Sequence, residues 1–278
     1  MSPFLVIIVI YGKRLSESST ISSFTRFSNF LEGRCRIVVW DNSPLPNEPE
    51  ELEKVRAMLP WTEIDYRHNQ GENIPLSQLY NRSIELLHDD EVMVILDDDS
   101  QFDEHFFLEA DKAILEHPDE DLFLPIVHNG KDIVSPAVMV LFKGHYLKQV
   151  SPGRMECRHR TAINSGMMIR ARYLKHGFEG YDERIRFYFT DNDFMSRFTA
   201  SHTHFFVLDY HLQHRLDFYA RGEDFEHKAK RFKELRRSFL ILMRRRSLWA
   251  YWATQVYMFI YSIKFAIIHR DIRYIFAT

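Results

Sequence analysis

Three consecutive carboxylates, Asp97, Asp98 and Asp99, stand directly behind the apolar run 92–96. Like charges at the end of a buried strand repel one another, and taking any of them out of water is costly. A divalent cation removes the conflict, because hard ions such as Mn²⁺ or Mg²⁺ take carboxylate oxygens as ligands. On an extended backbone Asp97 and Asp99 point to the same side. They are therefore the expected metal ligands, and a metal held there can grip the diphosphate of a nucleotide. An isolated acidic triplet is more often a solvated turn. Its place behind a strand, together with a second acidic pair at Asp191 and Asp193, favours the metal.

Such groups need a scaffold, and 278 residues with 45% apolar content suffice to bury one. Phe4–Ile10 is a continuous apolar run of strand length, as expected of a parallel strand covered on both faces. Further strands are predicted over 36–40, 64–67 and 92–96, with loop and helix over 16–31 and helices over 49–58 and 76–88. This alternation predicts an α/β fold with an open, mostly parallel sheet covered by helices. Ligands of such sheets sit outside the carboxyl ends of the strands. Those ends carry Tyr11-Gly12, Asp41, His68-Asn69 and the acidic triplet. In the less regular second half, strands are expected over 122–127, 137–142, 167–170 and 205–208, and helices over 102–117 and 192–201. No internal repeat or low-complexity segment stands out.

The net charge of −3 conceals an asymmetry: from Glu223 onward there are 12 Lys+Arg against 5 Asp+Glu, and before it 24 against 34. An acidic body with a basic, aromatic tail suggests a catalytic domain attached to something anionic, and gives no support for nucleic-acid binding. Cys35 and Cys157 show no spacing suited to a disulfide framework or a zinc site, which suits a reducing cytoplasm. Met1-Ser2-Pro3 leads straight into Phe4 without the basic region of a signal peptide.

Over about residues 4–215 the motifs resemble, in order, those of family 2 glycosyltransferases, which have the GT-A fold. Tyr11 and Asp41 match nucleotide-contacting positions, the aspartate being the one that accepts a hydrogen bond from the pyrimidine. Asn69-x-Gly71-x-Asn73 followed by Tyr80-Asn81 is similar to the family's Asn/Gly stretch, and Leu96-Asp97-Asp98-Asp99 to its metal-binding DxD. Ser135-Pro136 and Ser165-Gly166 fall in register. The strongest match runs from Gly180-Tyr181-Asp182-Glu183 through Phe187–Phe194 (FYFTDNDF) to Arg197. It resembles a segment of bacterial polysaccharide transferases, notably rhamnosyl- and galactosyltransferase-like members. The resemblance implies that Asp191 is the catalytic base and faces the acceptor. Thr190 stands where the family's acidic pair usually begins, which leaves Asp193 as the alternative base.

By the same resemblance, His214 completes the metal shell or touches phosphate, with His211 an equal candidate by distance. Asn69 and Asp98 join Tyr11, Asp41 and Asp97 around the nucleotide, and Ser165-Gly166 forms the floor of the acceptor site. Arg154, Arg158, His159 and Arg160 form a basic loop that either holds an acceptor phosphate or is simply solvated, the latter being the expectation. The function implied is inverting transfer from a UDP- or dTDP-sugar, with Mn²⁺ or Mg²⁺, onto a lipid-linked surface polysaccharide such as O-antigen or lipopolysaccharide. A catalytically silent nucleotide- or carbohydrate-binding module and a sugar nucleotidyltransferase are the rival classes.

The chain divides on this reading into a GT-A domain, 1–222, and a helical region, 223–278. Nine Lys/Arg fall within 228–246, and 248–263 is free of charge and rich in Trp, Tyr and Phe. Sixteen uncharged residues are short for a membrane span, so the expectation is a peripheral anchor on the anionic inner face of the inner membrane. The alternative is a helix packed on the core or on a second subunit as a homodimer.

Overall fold

The computed structural model describes residues 3–27, 29–140, 143–214 and 225–276. The first half alternates as expected: β1 (Phe4–Ile10), α1 (Ser19–Phe24), β2 (Cys35–Asp41), α2 (Pro49–Met58), β3 (Glu63–His68), α3 (Leu76–Ile84), β4 (Val92–Asp97) and α4 (His105–Glu116). The second half adds β5 (Leu122–Asn129), β6 (Asp132–Val140), β7 (Lys143–Leu147), β8 (Gly153–Glu156), β9 (Arg160–Thr161), β10 (Met167–Arg170), α5 (Ala171–His176), α6 (Thr190–Ser201) and β11 (His204–Gln213). Helices α7 (Phe225–Arg246), α8 (Leu248–His269) and the short α9 (Arg273–Phe276) follow.

The main sheet runs β3-β2-β1-β4-β10-β5-β11-β8, with β6 branching from β5 to pair with β7 and β9. Strands β3, β2, β1 and β4 are parallel, and β10 is antiparallel to both neighbours. Helices cover both faces, so strand side chains alternate between two cores. Phe4, Val6, Ile8 and Ile10 of β1 pack with Phe24, Val55, Phe106 and Phe107 on one side. Leu5 and Ile7 pack with Leu79, Phe194 and Phe198 on the other. Each buried aliphatic or aromatic side chain contributes about 1.5–3 kcal/mol, which makes this double-sided strand the fixed centre of the molecule.

A third cluster joins the C-terminal helices to the body: Ile185 packs with Phe232, Phe239, Leu242, Met243, Ala250 and Met258. The boundary expected at 222/223, residues 141–142 of the predicted strand, and the stretch after His214 up to 224 lie outside the described residues. Three short strands, β7 to β9, lie where none was predicted, and α3 stops at Ile84 instead of reaching 88.

Candidate active site

Strand β4 ends at Asp97, so Asp98 and Asp99 belong to a turn and not to an extended strand. The turn is clamped from α1. The Ser18 hydroxyl donates to the Asp98 carbonyl (2.8 Å), and the Thr20 hydroxyl donates to the Asp97 carbonyl while accepting from the Ser100 N–H (3.0 Å). Neither Ser18 nor Thr20 was singled out from the sequence, where they are lost in the serine-rich run 16–23. Thr20→Val keeps the shape and removes these hydroxyl bonds, leaving the Ser100 N–H only its longer contact with the Asp97 carbonyl (3.3 Å), a loss of about 1 kcal/mol or more. Thermal denaturation is expected to show that loss, together with weaker Mn²⁺-dependent stabilisation.

The turn sends the three carboxylates in different directions. Asp98 pairs with Lys13 (2.5 Å). Asp97 and Asp99 face His214, with Nε2 3.6 Å from Asp97 Oδ2 and Nδ1 3.7 Å from Asp99 Oδ1. These distances are too long for hydrogen bonds. Indeed Asp99 Oδ1 and His214 Nδ1 are buried and have no hydrogen-bond partner. One ligand atom from each of the three residues lies within 4.8 Å of the others. Two carboxylates and an imidazole at this spacing, with one oxygen of Asp99 and one nitrogen of His214 left unpartnered, fit a divalent cation of the Mn²⁺ type. Burial holds the Asp97 carboxyl above its ordinary range, opposed by His214 and reinforced by Asp99 and Asp98.

His214 reaches this position because β11 runs on to Gln213 along β5, and the His214 N–H donates to the His128 carbonyl (2.9 Å). His211 is placed elsewhere: its ring contacts that of His128, Nδ1 to Nε2 at 2.7 Å. Of the two histidines, only His214 shares the acidic turn.

A cleft of about 360 Å³ opens in front of the turn, lined by Tyr11, Asn42, Asn73, Tyr80, Phe187 and His214 with the three aspartates. Tyr11 is 56% exposed there. Asp41 and Asn69 do not line the cleft but brace its wall. Asp41 is wholly buried and accepts from the Ser43 N–H (2.8 Å), the Tyr66 hydroxyl (2.5 Å) and the Asn47 amide (3.0 Å). Burial alone would raise its carboxyl, but these hydrogen bonds outweigh it and hold it low. Asn69 donates to Asn42 Oδ1 (2.7 Å), and Asn42 donates in turn to Asn73 Oδ1 (3.1 Å). Asn42 is itself buried, so the exposed amide at the cleft is that of Asn73.

The second acidic pair separates into two environments. Asp193, one position into the buried face of α6, has no exposure. It accepts from the Asp182 N–H (3.0 Å) and is ion-paired with Arg197 (3.3 Å) and Arg245 at the end of α7. Arg245 also reaches Asp182 (2.6 Å). Asp191 is half-buried in the first turn of α6, and its only hydrogen bond to a side-chain oxygen comes from the Asn192 N–H (2.7 Å), among the described residues. Burial pushes its carboxyl up to about 6, against that N–H, and the charge of Asp97 adds to the shift. The two acidic centres therefore feel each other.

Ser165 and Gly166 lie beneath both centres and are buried, Ser165 at 1% exposure. Ser165 Oγ is 2.8 Å from Ser100 Oγ behind the triplet, and Asn164 donates to the Thr190 hydroxyl (2.9 Å) ahead of Asp191. Asn164-Ser165 thus acts as a strut between the acidic turn and the start of α6 that carries Asp191. Gly166 takes φ +83°, and a Cβ there would stand 2.6 Å from the Pro125 ring. Phe189, left-handed at φ +68°, is held by stacking on Phe239 of α7 (4.7 Å). The C-terminal helices therefore help to set the segment that carries Asp191.

No protein-family model matches the sequence, and a search of curated proteins returns no match. Solved structures do match. S. aureus TarS 1-349 superposes with TM-score 0.59 at 13% identity over 87% of this chain and 65% of that one. GalNAc-T7, solved with UDP, GalNAc and Mn²⁺, gives 0.55 at 12% over 77% and 44%. The mannosyltransferase PcManGT from Pyrobaculum calidifontis, solved with GDP-Man and Mn²⁺, gives 0.56 at 12% over 93% and 70%. The chain thus spans about two thirds or less of the length of the TarS and GalNAc-T7 chains it matches. These likenesses establish the GT-A fold expected from the motifs.

Proposed function

We propose that the protein is an inverting, metal-dependent glycosyltransferase that moves a sugar from a UDP- or dTDP-sugar onto a lipid-linked glycan. One arrangement carries this reading: the Asp97/Asp99/His214 trio lies close enough to Asp191, whose carboxylate forms no ion pair among the described residues, for the charges of Asp97 and Asp191 to interact. Support also comes from the similar fold of proteins solved with UDP or GDP-Man and Mn²⁺.

Asp97, Asp99 and His214 would hold the cation, which when bound neutralises charge on the departing diphosphate as a Lewis acid. Tyr11 offers an exposed ring face to the base of the nucleotide, and Asn73, held by the buried Asn42, offers its amide beside it. Asp191 takes the proton of the acceptor hydroxyl as that oxygen bonds to C1 of the sugar. The bond from C1 to the diphosphate breaks, and its electron pair leaves with the nucleoside diphosphate. One displacement with one base inverts the anomeric centre. A pKa up to about 6 suits a base that must be ionised near neutrality yet still accept a proton. A thermal-shift panel of UDP-, dTDP- and GDP-sugars with Mn²⁺ or Mg²⁺, followed by turnover assays, tests the proposal. Stabilisation that needs both metal and a UDP- or dTDP-sugar is expected. Binding without turnover would favour the silent module, and triphosphate consumption the nucleotidyltransferase.

The C-terminal helices support a membrane-surface site for this reaction. Helix α8 is inside-out for a helix in water: small or polar Ala250, Thr254, Ser262 and Ala266 are buried, whereas Trp249, Trp252, Ile260 and Ile267 are exposed by 59 to 72%. Lys230, Lys233 and Arg237 on α7 are exposed alongside. An outward apolar face flanked by basic residues suits an anionic bilayer surface. Among the described residues no helix is long and apolar enough to cross a membrane. Arg245 is not available to lipid, since Asp182 and Asp193 hold it. The double variant Trp252→Glu/Ile260→Glu is expected to lose co-sedimentation with anionic vesicles at least tenfold while keeping the fold. A protein that ignores such vesicles and dimerises instead would place a second subunit on this face.

A further inference from the structure

Between α6, β9 and the last turn of α7 lies a second cavity, of about 320 Å³, that the reaction described above does not use. Its basic side is formed by His159, Arg160 and Arg246, and none of its lining residues is acidic. Met139, Met195, Leu242 and Met243 form an apolar patch on the wall, beside the neutral polar Thr161, Asn192, Ser196 and Thr199. Arg245 also borders it, but its charge is matched by Asp182 and Asp193.

Arg160 is the informative residue. In the basic loop expected to be solvated, Arg154 is matched by Glu120 (2.5 Å), whereas Arg160 is half-buried and forms no ion pair among the described residues. Its Nε is buried without a hydrogen-bond partner. A guanidinium nitrogen buried without an acceptor is costly, and the planar donors of the group match phosphate oxygens in pairs. Asn192, on the cavity wall and tied to Thr161 (2.6 Å), immediately follows Asp191. The basic end of α7 at Arg246 leads through Ser247 to the exposed apolar Leu248 and Trp249 of α8.

Resting on the glycosyltransferase reading, we infer that this cavity binds the phosphate of a phosphate-bearing amphiphile, the group joining a lipid-linked acceptor to its hydrocarbon. Arg160 takes the phosphate oxygens, and the methionine-rich patch takes the first part of the apolar chain. The acceptor is thereby held by its lipid side while its sugar hydroxyl lies at Asp191.

The test is calorimetric titration of the full chain with farnesyl diphosphate, kept below its micelle concentration. EDTA is present, so that the acidic cleft has no cation with which to grip a diphosphate. Farnesyl diphosphate is expected to bind, with pyrophosphate at least tenfold weaker. Arg160→Gln should weaken the amphiphile at least tenfold and leave the melting temperature and the Mn²⁺/UDP thermal shift unchanged. Ser196→Phe, which fills the cavity from its exposed rim, should act likewise. Unchanged binding in both variants overturns the site, and pyrophosphate binding as tightly as farnesyl diphosphate overturns its apolar half. If Arg160→Gln abolishes binding to anionic phospholipid vesicles equally, the phosphate is the bilayer's and the acceptor assignment falls. If instead the Mn²⁺/UDP shift is absent while farnesyl diphosphate binds, the glycosyltransferase reading falls and the amphiphile site stands.

Discussion

Asp191→Asn is expected to retain nucleotide-sugar binding and to lose transfer by about 10²-fold or more, the scale on which a general base contributes. The loss should appear in kcat, because the amide keeps the shape of the site and removes only the proton acceptor. The wild-type rate should fall as pH drops through about 6, or lower once a cation offsets the Asp97 charge, and the variant should lack this limb. Stability should move the other way. The folded carboxyl titrates at about 6 and an unfolded aspartate near 3.8, so the unfavourable ionised form burdens the fold fully above 6 and not at all well below 3.8. Asp191→Asn should therefore melt higher than wild type at pH 7.5, with the difference vanishing toward pH 3. Asp193→Asn is the contrasting case. It removes charge facing Arg245 and Arg197 in a fully buried site, and breaking such a pair costs about 3–5 kcal/mol. A variant at Asp193 that melts normally yet is the inactive one would exchange the two assignments.

What the sequence could say about these aspartates had a physical limit. In the run Thr190-Asp191-Asn192-Asp193 both carboxylates look alike, and what separates them is Arg245, 52 positions away on a helix whose docking no local pattern reveals. His211 and His214 were inseparable for a similar reason: they lie on opposite sides of β11, and only the register of β11 on β5 decides which side meets the acidic turn. By contrast, the parallel half of the sheet was legible because β1, β2 and β4 are largely buried on both faces and carry apolar runs over 4–10, 37–40 and 92–96. Pro49–Met58 was legible because proline at its start fixes the first turn. The strands β7 to β9 were missed because they are short and mostly exposed or only part-buried, without an apolar run to mark them. Asp41 and Asn69, expected at the nucleotide, stand behind the cleft lining, since a polar residue after a strand can face the cleft or brace what does, and spacing cannot distinguish them.

Asp99→Ala should abolish the stabilisation that Mn²⁺ and nucleotide give together, while leaving the metal-free protein as stable as wild type or slightly more so. The second half of this expectation follows from the geometry. Asp99 Oδ1 is buried without a partner and faces Asp97 and Asp98 across a tight turn, so removing it relieves repulsion and deletes no hydrogen bond of that oxygen. The first half follows from ligand count, since Asp97 and His214 alone make a weak site for a hard cation. A ligand present at about 100 times its Kd adds about 2.7 kcal/mol to the native state. Wild type should show a melting shift of that order with Mn²⁺ and UDP, and EDTA should reduce it to the behaviour of the variant. His214→Ala should lose most of the same shift and His211→Ala none, because His211 is spent on His128. Transfer activity in Asp99→Ala should fall at least as far as in Asp191→Asn. Full Mn²⁺-dependent stabilisation in Asp99→Ala, or undiminished turnover by wild type in excess EDTA, would remove the cation from this site and leave the trio a structural cluster.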